Sequence, residues 1–191
     1  SNEAFPYHAA RAVTVGGGIE ARLFRISFSG ELAYELAVPA SYGDDAIRAL
    51  MTAGKPYGIG GYGTEALGVM RIEKGHVAGN ELNGQTTARD LALERMMSRK
   101  KDYIGRLMAE RPALLDASRP RFIGFRPVDP AQRLRAGAHF VASGRDAVAE
   151  NDEGFMTSVA YSPTLKHWIG LGLLRRGPER IGERLRCVDP L

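Results

Sequence analysis

Cysteine is almost missing from this chain: of 191 residues only Cys187 carries a thiol, so no internal disulfide and no cysteine-based zinc site can form from it alone. That argues against a disulfide-stapled scaffold and leaves the cytoplasm as the expected compartment. Long apolar runs are missing as well. No stretch approaches the roughly 18 uninterrupted apolar residues of a membrane helix, and no charged-then-apolar leader opens the text, so a soluble, unexported protein with no membrane partner is expected. One-signed charge is scarce, with a net charge of +4 and Lys and Arg scattered apart from "SRKKD" at 98–102. A small anionic ligand suits this better than nucleic acid. Repeats and low-complexity tracts are absent. The text opens "SNE" without Met, which suggests a cleaved tag ahead of an excised piece of a longer protein.

Several catalytic signatures are lacking too. The histidines His8, His76, His139 and His167 show no metal-ligand spacing with one another or with carboxylates, so no metal site is expected. No G-x-S-x-G and no cysteine nucleophile context occurs, which leaves hydrolase chemistry unsupported. "GIGGYG" at 58–63 satisfies G-x-G-x-x-G in letters, but "TAGKPY" before it contains Pro56 and follows a helix. A dinucleotide fingerprint needs a buried strand running into its first glycine, so a glycine-rich connection is the better reading.

What is present is ordinary globular material, 44% hydrophobic and 25% charged, enough for one sizeable core or two small ones. Residues 12–38 alternate like an antiparallel meander, with turns at "GGG" and at Ser29 and Gly30. Ser41 and Asp44 predict the start of a helix over 42–53, with Ala46, Ile47, Leu50 and Met51 as its apolar stripe and Gly54 as its stop. Thr64 predicts a second helix ending at Gly75, and Thr87 with Asp90 a third running through Met97. Pro112 and Pro120 bracket a boundary. Beyond it, the short runs "RFIGFRPV", "HFVA", "AVAE", "GFMTSVAY", "WIGLGLL" and "ERLRCV" predict a small β-barrel or sandwich. The expected fold class is α+β, divided into 1–112 and 113–191. In "RISFSGELAYE" the alternation places Glu35 with Ala33 and Ala37 on one strand face, and Leu32, Tyr34, Leu36 and Val38 on the other. Two readings stay open: a solvated carboxylate on the outer face of a half-buried strand, or a carboxylate at the floor of a pocket.

Four stretches in order resemble the aminomethyltransferase family, represented by the glycine cleavage T-protein. "RISFSGELAYELAVP" resembles R-x-G-Y-T-G-E-x-G-Y-E, and "YGTEALGVMRIEKG" resembles the G-x-x-A-x-x-x-L-R-x-E-x-G helix. "KKDYIGR" resembles K-x-D-F-I-G-R, and "GFMTSVAYSPTLKHWIGLGLL" resembles the G-x-V-T-S-x-x-x-S-P-T-L strand pair. The spellings F-S-G-E-L-x-Y-E, Y-G-T-E-A-L and R-I-E-K-G are most similar to the sarcosine-oxidising branch. The resemblance implies the second half of a folate-binding α+β domain followed by a C-terminal β-barrel. It implies tetrahydrofolate as the ligand, with Glu35 accepting two parallel donors of the pterin ring, Phe28 beside that ring in place of the usual Tyr, and Ala78 where the family carries an aromatic before G-Q-E. The reaction implied is transfer of the one-carbon unit of oxidised sarcosine to tetrahydrofolate, giving 5,10-methylenetetrahydrofolate.

FAD, FMN and NAD would belong to parts of a heterotetrameric oxidase outside this chain. The partners implied are the other subunits and the missing N-terminal part. The catalytic carboxylate would also lie in that part, so no catalytic residue is assigned here and the fragment alone is expected to be inactive. A free-standing aminomethyltransferase would carry Arg where Leu67 stands, and an iron–sulfur assembly factor of the superfamily would carry Cys where His76 stands. A non-catalytic folate-binding module is the remaining alternative.

Overall fold

The computed structural model describes residues 3–189. It is mixed α and β, as expected, and resolves into two compact units, one up to Leu67 and one from Gly68 on.

In the first unit β1 (Ala10–Val15), β2 (Ile19–Phe24) and β3 (Glu35–Ala37) form an antiparallel meander in that order. The second strand stops at Phe24, so residues 25–34 are irregular, although an extended segment was expected there. Local bonds outcompete the ladder: the Gly30 N–H donates to Ser27 Oγ at 2.7 Å, and the Arg25 guanidinium to the Phe5 carbonyl at 3.1 Å. Helix α1 (Gly43–Gly54) carries Asp44 and Asp45 in its first turn, where the helix dipole favours them. Its cap differs from the expectation, since Tyr42 precedes it without a side-chain hydrogen bond and Ser41 lies in a 3-10 turn.

The α-helix stops at Gly54, as expected. A 3-10 turn, Lys55–Tyr57, follows and ends at Gly58 in the left-handed region at φ 73°. Gly54 also serves close approach, because a Cβ there would sit 2.7 Å from Ile59. The expected stripe is only partly buried: Ala46 is enclosed, while Ile47, Leu50 and Met51 are each at least 40% exposed.

Helix α2 (Thr64–Lys74) spans the division between the units and ends where expected, at Gly75 with φ 73°. In the second unit the expected third helix is replaced by turns. Thr87 and Asp90 do form a reciprocal cap, with the Thr87 N–H to Asp90 Oδ2 at 2.9 Å and the Asp90 N–H to Thr87 Oγ1 at 3.2 Å. Ala92 then turns left-handed at φ 58°, which ends the helix after one turn. Two short helices follow, α3 (Arg106–Ala109) and α4 (Pro112–Leu115).

The remaining strands are β4 (Pro120–Phe125), β5 (His139–Ala142), β6 (Gly154–Ser162), β7 (His167–Arg175) and β8 (Leu185–Val188). They form one antiparallel sheet in the order β4-β7-β6-β5-β8. "AVAE" is not a strand; Ala149–Asn151 is a 3-10 turn.

Alternation gives this sheet two apolar faces. Ile169 and Leu171 of β7 and Ala160 of β6 pack with Ile72 and Val69 of α2. Phe140, Met156, Leu174 and Leu134 form the second core, with Phe125 and Trp168 against it. Phe125 and Phe140 stack there with ring centroids 4.3 Å apart. Gly172 makes room for them, since a Cβ at that position would lie 2.9 Å from the Phe125 ring and 3.2 Å from Phe140. Among the described residues no helix is long and apolar enough to cross a membrane.

Candidate functional site

Each predicted ligand contact has a definite place. Glu35 is the first residue of β3, opposite Phe24, with an exposed side chain. Phe28 lies in the irregular loop before it and is 37% exposed. Tyr34, next to Glu35, stacks on Phe5 at 6.2 Å and has the Arg25 guanidinium 5.4 Å from its ring centre. Glu35 and Phe28 therefore share the first unit. Ala78 belongs to the second, on the turn between α2 and the 3-10 helix Gly79–Glu81.

The glycine run at 58–63 follows the 3-10 turn and precedes α2, with no strand leading into it. The strand–turn–helix arrangement that holds a dinucleotide is therefore not built there. No group of three His, Cys, Asp or Glu side chains suited to a metal ion occurs among the described residues. A groove of about 990 Å³ along β4 and the start of β8, lined by Phe125, Ile169 and Leu185 among others, includes none of the predicted contacts.

The residues that the sequence did not single out are those directly behind Ala78. Glu81 is fully buried and each of its oxygens accepts two hydrogen bonds. Oε2 receives the Ala78 N–H at 2.9 Å and Arg71 at 3.0 Å. Oε1 receives the hydroxyls of Thr157 at 2.5 Å and Ser158 at 2.6 Å. Four donors saturate a carboxylate. Burial pushes the Glu81 carboxyl up, but the hydroxyls of Ser158 and Thr157, the Ala78 N–H and the charge of Arg71 outweigh it and hold it below the usual range.

Arg71 completes the arrangement by donating to the His76 carbonyl at 3.2 Å and to Ser158 Oγ at 2.7 Å. The two hydroxyls reach the same carboxylate because β6 carries a bulge between Met156 and Ser158. The extra residue aims two consecutive side chains to one side, which plain alternation would prevent. Arg71, Glu81, Thr157 and Ser158 all lie in or beside the stretches quoted above, but no local spacing brings them together.

A second buried carboxylate, Asp90, anchors the turns after that segment. Arg119 grips both its oxygens, at 3.1 and 2.7 Å, and the Asp90 carbonyl accepts the Phe122 N–H of β4 at 2.7 Å. Burial raises the Asp90 carboxyl, and the bonds from Arg119 and Thr87 more than offset it, leaving it low.

Comparison with known proteins agrees with this architecture. Residues 1–101 match the model of the GCVT N-terminal domain, and residues 121–188 match the glycine cleavage T-protein C-terminal barrel domain. The sarcosine oxidase subunit alpha of Rhizobium meliloti is 50% identical over 97% of this chain, which covers 19% of that protein. The subunit of the same name from Corynebacterium sp. strain U-96 is 40% identical over 97% of the chain, which covers 20% of it. The chain thus spans about a fifth of these relatives. Among solved structures, the aminomethyltransferase T of the glycine cleavage system of Bartonella henselae superposes with a TM-score of 0.74 at 21% identity, over 98% of this chain and 49% of that one. That likeness shows the fold. With more than half its length matched by the first of these family models, and most of the rest by the second, the chain belongs to the glycine cleavage T-protein family.

Proposed function

We propose that this region binds tetrahydrofolate and helps pass to it the one-carbon unit of oxidised sarcosine, as part of a sarcosine oxidase alpha subunit. The observation that carries the reading is 50% identity to such a subunit along 97% of the chain. In this reading, two-electron oxidation elsewhere in the protein turns the N-methyl group into a carbon–nitrogen double bond. A folate nitrogen then adds to that carbon, and ring closure onto the second folate nitrogen expels glycine and leaves 5,10-methylenetetrahydrofolate. Without folate, water adds instead and formaldehyde leaves. The flavins and NAD are assigned to segments outside this chain, and the other subunits are its partners in the cytoplasm. In the same reading the boundary between the folate-binding domain and the C-terminal barrel domain is put at 112–113, between Pro112 and Pro120.

Glu35 supports the reading chemically. An exposed carboxylate at the start of a short strand leaves two oxygens for the paired donors of a pterin. Leu67, where an aminomethyltransferase is expected to carry Arg, favours the oxidase over the glycine cleavage reading.

The test uses the full-length protein. Replacing Glu35 with Ala leaves two ligand donors without an ionised acceptor, a loss of about 2 to 4 kcal/mol, or roughly 30- to 1,000-fold in folate affinity. Amine oxidation should continue while formaldehyde replaces the folate product. Unchanged product ratios on adding tetrahydrofolate to the wild type would refute the assignment, and affinities within about threefold for Glu35→Ala would return Glu35 to a solvated strand residue.

A further inference from the structure

We propose that Arg71 and Glu81 are positioning residues for the folate contact at Ala78, setting the main-chain path of residues 76–80 by fastening it to the bulge of β6. This rests on the folate reading above.

The main chain from 76 to 81 makes only short-range bonds of its own, among them the His76 N–H to the Arg71 carbonyl at 2.9 Å and the Glu81 N–H to the Ala78 carbonyl at 3.2 Å. Its ties to the sheet come from side chains behind it. Arg71 holds the His76 carbonyl, and Glu81 holds the Ala78 N–H. The Asn80 amide donates to the Thr157 carbonyl at 3.2 Å. All three ties lead to the same two sheet residues, because Glu81 accepts from Thr157 and Ser158 and Arg71 donates to Ser158. The segment is flanked by Gly75 at φ 73° and contains Gly79 at φ 53°, so without those ties its glycines allow many paths. Val77 and Ala78 are half-buried and Gly79 and Asn80 exposed, so the fastened side is the inner one and the other side is open to a ligand.

Glu81 suits this purpose in a way that its charge alone does not explain. Its two oxygens do different work: Oε2 faces only N–H donors, from Ala78 and Arg71, whereas Oε1 faces only hydroxyls. Hydroxyls can reverse and accept. Glutamine therefore fits in one orientation, with its oxygen toward Ala78 and its NH₂ toward Thr157 and Ser158. The Ala78 bond survives that change and the charge does not, so the two contributions can be separated.

The experiment measures tetrahydrofolate affinity by calorimetry in the full-length protein carrying Glu81→Ala, Glu81→Gln or Thr157→Val, with Glu35→Ala as reference, alongside melting temperature and exchange of the Ala78 amide. Glu81→Ala should bind folate about 10- to 100-fold more weakly, with rapid Ala78 exchange. Glu81→Gln should restore affinity to within about threefold of wild type, despite a lowered melting temperature. A purely structural role would make affinity follow the melting temperature in both variants, and that result overturns the proposal, as does wild-type affinity in a folded Glu81→Ala protein with a freely exchanging Ala78. If Glu81→Ala does not fold, Thr157→Val decides: raised Ala78 exchange with unchanged affinity sinks the idea, and raised exchange with weakened binding upholds it. If the wild-type protein itself shows no tetrahydrofolate binding, the folate reading has failed, and the positioning role falls with it.

Discussion

Removing Arg119 is the most direct test of how the second unit is held together. Its guanidinium meets both oxygens of Asp90, a side chain only 3% exposed, and also donates to the Gln85 carbonyl at 2.9 Å. Arg119→Ala leaves the carboxylate enclosed with only the N–H and hydroxyl of Thr87 as donors, at 2.9 and 3.0 Å. Breaking a fully buried pair costs about 3 to 5 kcal/mol. Here the arginine is 24% exposed and two donors remain, so the expected loss is nearer 2 to 3 kcal/mol. In a double-mutant cycle with Asp90→Ala the coupling should be about 1 to 2 kcal/mol. Arg119→Lys should recover less than half of the loss, since one ammonium cannot bridge both oxygens. Urea unfolding measures each variant, and amide exchange at Phe122, whose N–H bonds to the Asp90 carbonyl, reports the local effect. A coupling below about 0.5 kcal/mol, the value of an ordinary surface pair, would refute the argument that this clasp joins the turns to β4.

Acid should unfold the second unit through its buried carboxylates. Glu81 and Asp90 both lie below their ordinary values of 4.5 and 3.8, so the stability they contribute is complete above those values and is lost as pH falls through the depressed folded ones. Melting temperature should be level from neutral pH down to that range and drop below it, with a shallower drop in Glu81→Gln; equal slopes in both proteins would disprove the linkage. Gly172→Ala should destabilise by about 2 to 3 kcal/mol through overpacking, because its Cβ would lie 2.7 Å from the Phe155 carbonyl oxygen, 2.9 Å from the Phe125 ring and 3.2 Å from Phe140; a denaturation midpoint equal to wild type would show that the stack can move aside. The 191-residue chain by itself should purify without a flavin spectrum, and a stoichiometric yellow absorbance would contradict the assignment of the flavins to other segments.

How much of this was readable in advance depended on how far apart the determining residues lie. The strands β4, β6 and β7 follow from short runs bounded by Gly, Pro and Asp, and the end of α2 from Gly75, because each signal sits within a few residues of its effect. The Thr87–Asp90 cap was readable for the same reason. The helix expected after it was not, since Ala92 turns left-handed and the Asp90 carboxylate is claimed by an arginine 29 residues away. "AVAE" has the composition of a strand, but no neighbouring strand pairs with it among the described residues.

The buried latch was the least readable feature, as it joins Glu81 to residues 76 and 77 positions later through a bulge that no periodicity announces. Yet it explains why the resemblance could be strong while saying little about contacts. The letters that carry it fall into two physical groups. Arg71, Thr157, Ser158 and Ser162 are buried or nearly so and are spent on internal bonds, the Ser162 hydroxyl donating to the Glu73 carboxylate at 2.5 Å. Phe28 and Glu35 are exposed. Ligand recognition can use only the second group directly. The first acts on a ligand, if at all, through the backbone it holds, so substitutions in the two groups should separate cleanly, with the exposed pair changing affinity at constant stability and the buried set changing stability first.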